Sequence, residues 1–118
     1  MSDDKITIYI KPTCSTVRKA LKILRENGSE FDQVNYYETP FTKRKLSGLI
    51  KKLGVPPREL LRKNEKVYKE FGLSKKELSD SEIIDLMVKH PDLIQRPIVV
   101  KGKKVILARP AEEIEKLL

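Results

Sequence analysis

The chain has 118 residues, 39% hydrophobic and 36% charged, with a formal net charge of +8. That length fits one domain around one core, and its periodic apolar segments exclude a disordered chain. No window approaches the roughly 18 apolar residues of a membrane helix, the acidic start MSDDKITIYI lacks a signal peptide's apolar region, and a lone cysteine excludes an internal disulfide framework, so a cytoplasmic protein with no membrane partner is expected.

Positive charge favours nucleic acid, a membrane surface or small oxyanions as partners. Here the lysines are spread along the chain, aromatic residues are only 6% and tryptophan is absent. No base-stacking platform is evident, so nucleic acid is disfavoured and a solvated Lys/Glu surface is the simpler account.

The run ITIYI, 6–10, alternates and is β-branched, which predicts a strand ended by Pro12. From Ser15, apolar residues at Val17, Ala20, Leu21 and Leu24 define one helical face, and Gly28 fits a helix C-terminal cap. FDQVNYY, 31–37, reads as a second strand. Its connection through a helix favours a parallel βαβ unit.

Thr42 can cap a second helix carrying Leu46, Leu49, Ile50 and Leu53 and closed by Gly54. PPRELLRKNEKVYKEFG, 56–72, suggests one or two short helical turns. Ser79 and Glu82 have capping-box spacing for a further helix, on which Ile83, Leu86 and Met87 share a face and which Pro91 stops. IVV and VIL, joined by a connection containing Lys and Gly, predict a β-hairpin. Ala111 to Leu118 can form a closing helix with Ile114, Leu117 and Leu118 as its apolar face. The resulting order is βαβ, a helical stretch, then ββα, which is an α/β domain with a mixed sheet.

Cys14 stands in KPTCSTVRKAL, between the first strand and the first helix. A thiol becomes a useful nucleophile on ionising, and a helix N-terminus with nearby cations lowers its pKa. Unpaired amides of the first turn carry the positive end of the helix dipole. Ser15 and Thr16 offer hydroxyls, and Lys11 and Arg18 offer charge, so a thiolate and an anion-binding pocket are both expected here. The competing account is a small buried hydrophobe, since free cysteine is often buried.

Spacing removes two other chemistries. A local dithiol would need cysteine at position 17, which is Val17, and a low-molecular-weight phosphatase loop would need arginine at position 20, which is Ala20. His90, before Pro91, reads as a helix-capping or surface residue. One cysteine and one histidine make no metal site.

Arg62 in LLRKN, Arg96 in QRPIVV and Arg109 in ARP stand in distinctive contexts, the last two each directly before a proline at an end of the predicted hairpin. Several guanidinium forks converging on one anion suit a tetrahedral oxyanion. Together, ITIYIKPTCSTVRKAL, LLRKN, RPIVV and ARP resemble the glutathione- and glutaredoxin-linked arsenate reductase (ArsC) family and its short Spx-like members, over about Lys5 to Leu118.

The resemblance implies a thioredoxin-like fold with a mixed four-stranded sheet, flanking helices and an all-helical insertion at about 41–92, in a single domain spanning 1–118. It implies that Cys14 attacks arsenate and that Arg62, Arg96 and Arg109 hold the oxyanion. Pro97 would take the cis-proline position facing the nucleophile. No bound cofactor is implied. Electrons would come from external glutathione and glutaredoxin, and the protein would act as a monomer. One position departs from the pattern: characterised arsenate reductases of this type carry a histidine four residues before the cysteine, and here that residue is Ile10. A glutathione-dependent thiol reductase of the same family is therefore the alternative. An Spx-like regulator binding RNA polymerase ranks behind both, because the CxxC pair is absent.

Overall fold

The computed structural model describes residues 5–118; the acidic start at 1–4 lies outside them. Its chain divides into two compact units, one of residues up to Thr39 together with Arg96–Leu118, the other Pro40–Gln95.

The first unit is built on a four-stranded sheet of β1 (Ile6–Ile10), β2 (Phe31–Asn35), β3 (Ile98–Lys101) and β4 (Lys104–Leu107), in the order β2-β1-β3-β4. β1 pairs parallel with β2 and antiparallel with β3, and β3 pairs antiparallel with β4. This is the mixed α/β sheet of a thioredoxin-like fold. β1 runs between two neighbours and is apolar almost throughout, whereas the edge strand β2 carries the exposed Asp32 and Gln33. β2 stops two residues short of the predicted strand for a local reason. The Asn35 side chain accepts the Tyr37 amide at 2.9 Å, and its carbonyl accepts the amides of Glu38 and Thr39. Asparagine thereby turns the backbone with its own side chain.

The crossover between β1 and β2 is α1 (Ser15–Glu26), whose buried residues are Val17, Ala20, Leu21 and Leu24. Gly28 ends it at φ 74°, a conformation that suits glycine. The Gly28 amide donates to the Arg25 carbonyl and the Ser29 amide to that of Leu24, which closes the helix in a Schellman arrangement. The α1 face joins Ile6, Ile8 and Ile10 of β1, Val99 of β3, and Ala108, Ala111, Ile114 and Leu117 in one core. Each fully buried aliphatic side chain contributes about 1.5–3 kcal/mol.

The closing segment differs from the expected α-helix. Ala111–Leu117 is a 3-10 helix with Ala111, Ile114 and Leu117 buried. Those residues recur every third position, which matches three residues per turn. Leu118 falls outside that repeat and is 42% exposed.

The second unit contains α2 (Lys43–Leu53), α3 (Lys66–Glu70) and α4 (Asp80–Lys89), with 3-10 turns at Pro57–Leu60, Leu73–Lys75 and Pro91–Leu93. The Thr42 hydroxyl accepts the Lys45 amide at 3.1 Å, capping α2, and Gly54 ends that helix at φ 75°. Ser79 and Glu82 form the expected capping box, each hydrogen bond 3.1 Å long. α2 packs on α4, and Lys43 reaches Asp85 at 3.1 Å across that contact. His90 is the C-cap residue of α4. Its amide donates to Leu86 and its half-buried ring meets the Phe71 ring edge-on.

Candidate functional site

The strand registers bring a set of residues into line at one end of the sheet. Ile10 pairs with Asn35, Tyr9 with Ile98, and Ile98 with Leu107. Lys11 and Tyr36 follow the last paired residues of β1 and β2, and Arg96 and Arg109 lie two residues outside the Ile98–Leu107 pair, so all four stand at this end of the sheet. The Ala108 amide donates to the Pro97 carbonyl at 3.0 Å, which extends the hairpin by one pair, and the Arg109 amide then turns back to the Leu107 carbonyl. This group lies at the carboxyl ends of the two parallel strands, the end at which open α/β sheets bind ligands.

Cys14 is the next feature of the chain past that group. A tight turn, in which the Cys14 amide donates to the Lys11 carbonyl at 3.1 Å, carries the chain from β1 into α1 and makes Cys14 the N-cap residue of α1. The thiol is half-buried against the core. Burial pushes its pKa up, but hydrogen bonds from the Val17 and Thr16 amides and from the Arg96 side chain, with the Arg96 charge, push it down, and the net shift is downward. No short capping hydrogen bond of the usual geometry is present at the sulfur. The surroundings instead favour its anion, as expected where helix-start amides and a guanidinium converge.

Arg96 is 4% exposed and is the single buried charged residue among the described residues. A buried guanidinium needs compensating partners. Burial alone would lower its pKa, but the neighbouring Tyr36, Tyr37 and Cys14 raise it, and the net shift is upward. It therefore remains a cation beside a thiol that ionises readily. The Arg96–Pro97 peptide is cis, and so is Arg109–Pro110.

Arg109 is exposed, yet one nitrogen of its fork is tied to this region at two points. Its Nη1 donates to Thr16 Oγ1 at 3.3 Å and to the Arg96 carbonyl at 3.1 Å. Thr16 thus serves the site through its amide toward Cys14 and through a hydroxyl that accepts from Arg109. Ser15 and Arg18 are exposed on α1, and the Arg18 amide donates to the Cys14 carbonyl. Lys11 holds its Nζ 5.4 Å from the centre of the Tyr37 ring. Pro97 is buried.

Arg62 belongs to the second unit. The bridge between Leu61 and Ile94 fixes its backbone, with the Arg62 amide donating to the Leu93 carbonyl at 2.7 Å. Its Nε donates to Glu65 Oε1 at 3.0 Å, while Nη1 is shielded from solvent and has no hydrogen-bond partner among the described residues. That leaves a donor with spare capacity.

Sequence reading overlooked Tyr36 and Tyr37. Their rings stand 5.1 Å apart and both act on Arg96. A usable signal existed: Asn35-Tyr36-Tyr37 ends the second parallel strand, at the ligand-binding end of the sheet. As assembled, the first unit holds a thiol whose anion is favoured beside a buried guanidinium.

A model of the ArsC family matches residues 9–117. The arsenate reductase of Escherichia coli (strain K12) is 43% identical over 113 residues, covering 96% of this chain and 80% of its own. That of Neisseria meningitidis serogroup A is 36% identical over 115 residues, covering 97% and 98%. The solved structure of the arsenate reductase from Vibrio cholerae superposes with a TM-score of 0.91 at 35% identity, covering 97% of this chain and 98% of that one.

Proposed function

The chain belongs to the ArsC family, and from that premise we propose that it is an arsenate reductase in which Cys14 is the nucleophile. The observation that carries this reading is the Cys14 sulfur at the start of α1, favoured as a thiolate by two backbone amides and by the buried Arg96. Arg96 and Arg109 supply fixed donors for the charged oxygens of a tetrahedral oxyanion. By the family resemblance Arg62, in the second unit, is also proposed as an oxyanion ligand.

In the first step Cys14 Sγ forms a bond to arsenic, and one arsenate oxygen leaves as water after protonation. Overall, arsenate and two thiols become arsenite, a disulfide and water: arsenic gains two electrons and loses one oxygen. Cys14 is the chain's single cysteine, so both electrons come from thiols outside the chain. Glutathione, with glutaredoxin recycling the enzyme thiol, is the proposed source. The cytoplasm, where such thiols are kept reduced, is the proposed location.

The test is arsenate-dependent NADPH oxidation in a coupled system of glutathione, glutathione reductase and glutaredoxin. Turnover absent from a Cys14→Ser variant is expected, and turnover no higher than that control would sink the reading.

One observation favours a second reading. Ile10, at the family's histidine position, is 7% exposed and part of the core, so it can neither donate nor carry charge. A glutathione-dependent thiol reductase needs less assistance there, and its arginines would bind a carboxylate. It predicts a Cys14–glutathione mixed disulfide that forms readily without arsenate. Failure to detect that adduct by mass spectrometry removes it.

A further inference from the structure

α2 carries Lys43, Arg44, Lys45, Lys51 and Lys52 and no carboxylate, so five units of the chain's net +8 charge sit on one short helix. Elsewhere lysines stand beside acids of their own helix, as in Lys22 with Glu26, Lys66 with Glu70 and Lys116 with Glu113. Lys43 has a partner in Asp85 of α4, but Arg44, Lys45, Lys51 and Lys52 are exposed and make no ion pair among the described residues. Cations in the first turn of a helix also oppose its dipole, which favours anions there. Gly48 marks the same face. It lies mid-helix, where glycine is less favourable than alanine. Its φ is not positive, and a Cβ there would meet nothing within 4 Å, so no packing within the chain calls for glycine. Around it is a hollow of about 320 Å³ lined by Thr42, Arg44, Lys45, Gly48, Leu49 and Lys52. Arg44 and Lys52 stand one turn to either side of Gly48, about 12 Å apart along the helix axis.

We propose that this face of α2 is a docking surface for an acidic segment of a partner protein, whose carboxylates meet Arg44, Lys45 and Lys52 and one of whose side chains fills the hollow over Gly48. Charge complementarity sets the sign of the partner, and the spacing of the cations calls for a chain of carboxylates rather than one small anion. A nucleic-acid backbone or an anionic membrane surface needs the charges but not the hollow, and no aromatic side chain lines it to stack a base. A peptide segment uses both, with charge at the rim and a side chain over the one position that has none. The proposal does not depend on the chemistry at Cys14.

The test titrates the full chain into a short labelled peptide rich in Glu and Asp with a central Leu, followed by fluorescence anisotropy. Replacing Arg44→Gln, Lys45→Gln and Lys52→Gln together is expected to weaken binding roughly tenfold or more. Replacing Lys19→Gln, Lys75→Gln and Lys103→Gln together removes three exposed cations elsewhere and is expected to weaken it less than about twofold. Gly48→Gln separates shape from charge, since it keeps every cation and fills the hollow. It is expected to weaken binding severalfold while the thermal midpoint rises, because glutamine is the better helix former. Equal losses in the two triple variants would show a response to net charge alone and overturn the proposal. Undiminished binding in Gly48→Gln overturns it, as does a wild-type chain that leaves the peptide unbound. Tighter binding of a DNA duplex, or of vesicles containing phosphatidylserine, with the same dependence on Arg44, Lys45 and Lys52, assigns the face to those partners and overturns it as well.

Discussion

Arg109 donates from Nη1 to the backbone carbonyl of Arg96 at 3.1 Å, so one arginine holds the main chain that carries the other. The second hydrogen bond from the same nitrogen, to Thr16 Oγ1 at 3.3 Å, links the end of the hairpin to the first turn of α1. Arg109 thus spans the two elements that present Arg96 and Cys14. An incoming anion would compete for an exposed guanidinium that is already oriented, which reduces the ordering cost of binding.

Arg109→Ala is expected to weaken oxyanion binding more than folding. Two hydrogen bonds from an exposed side chain contribute at most about 1–2 kcal/mol to stability. Titration with arsenate or sulfate should show a clear loss of affinity, with the thermal midpoint nearly kept. A collapse of stability would make this arginine structural. Arg96→Ala should raise the Cys14 alkylation midpoint as well, because the Arg96 guanidinium favours the thiolate.

The thiol gives a pH dependence of defined sign. Its pKa in the folded protein lies below the ordinary value, so the folded state holds the thiolate better than the unfolded chain does. That contribution to stability is fully present above the unfolded pKa, about 8.5, and is lost as pH falls through the folded value. Thermal unfolding across this window should show wild type gaining on Cys14→Ser as pH rises. Alkylation should have its midpoint below about 8.5; a midpoint at or above that value contradicts the thiolate argument.

The core makes its own prediction. Ile114 is fully buried in the closing 3-10 segment, in one cluster with Val17, Leu21 and Leu24 of α1. Ile114→Ala should cost about 2–5 kcal/mol by denaturant unfolding, with the alkylation midpoint of Cys14 unchanged. A cost below about 1 kcal/mol would show that the cavity collapses on truncation.

Ser79→Ala removes one half of the capping box on α4. It should lower stability by about 0.5–2 kcal/mol and leave oxyanion affinity as it was. Loss of affinity with stability intact would contradict a purely local cap.

The elements visible in the sequence were those fixed within a few residues of themselves. Val17, Ala20, Leu21 and Leu24 declared a helical face, Thr42 and Ser79 with Glu82 declared helix starts, and Pro91 declared a stop, because capping and periodicity act over three or four positions. The closing segment was misread as an α-helix because Ala111, Ile114 and Leu117 satisfy a three-residue repeat almost as well as a 3.6-residue one.

The gathering of Tyr36, Lys11, Arg96 and Arg109 at one end of the sheet could not be read that way. It follows from strand order and register, which the pairing of whole strands decides. By itself the sequence determined that a single thiol stands at the start of a helix with no second thiol to help it. Tertiary structure decided which cation stands beside that sulfur, and that Arg109 meets Thr16 from 93 residues away. Charge and hydrogen bonding depend on distance in space, and only the folded sheet sets those distances.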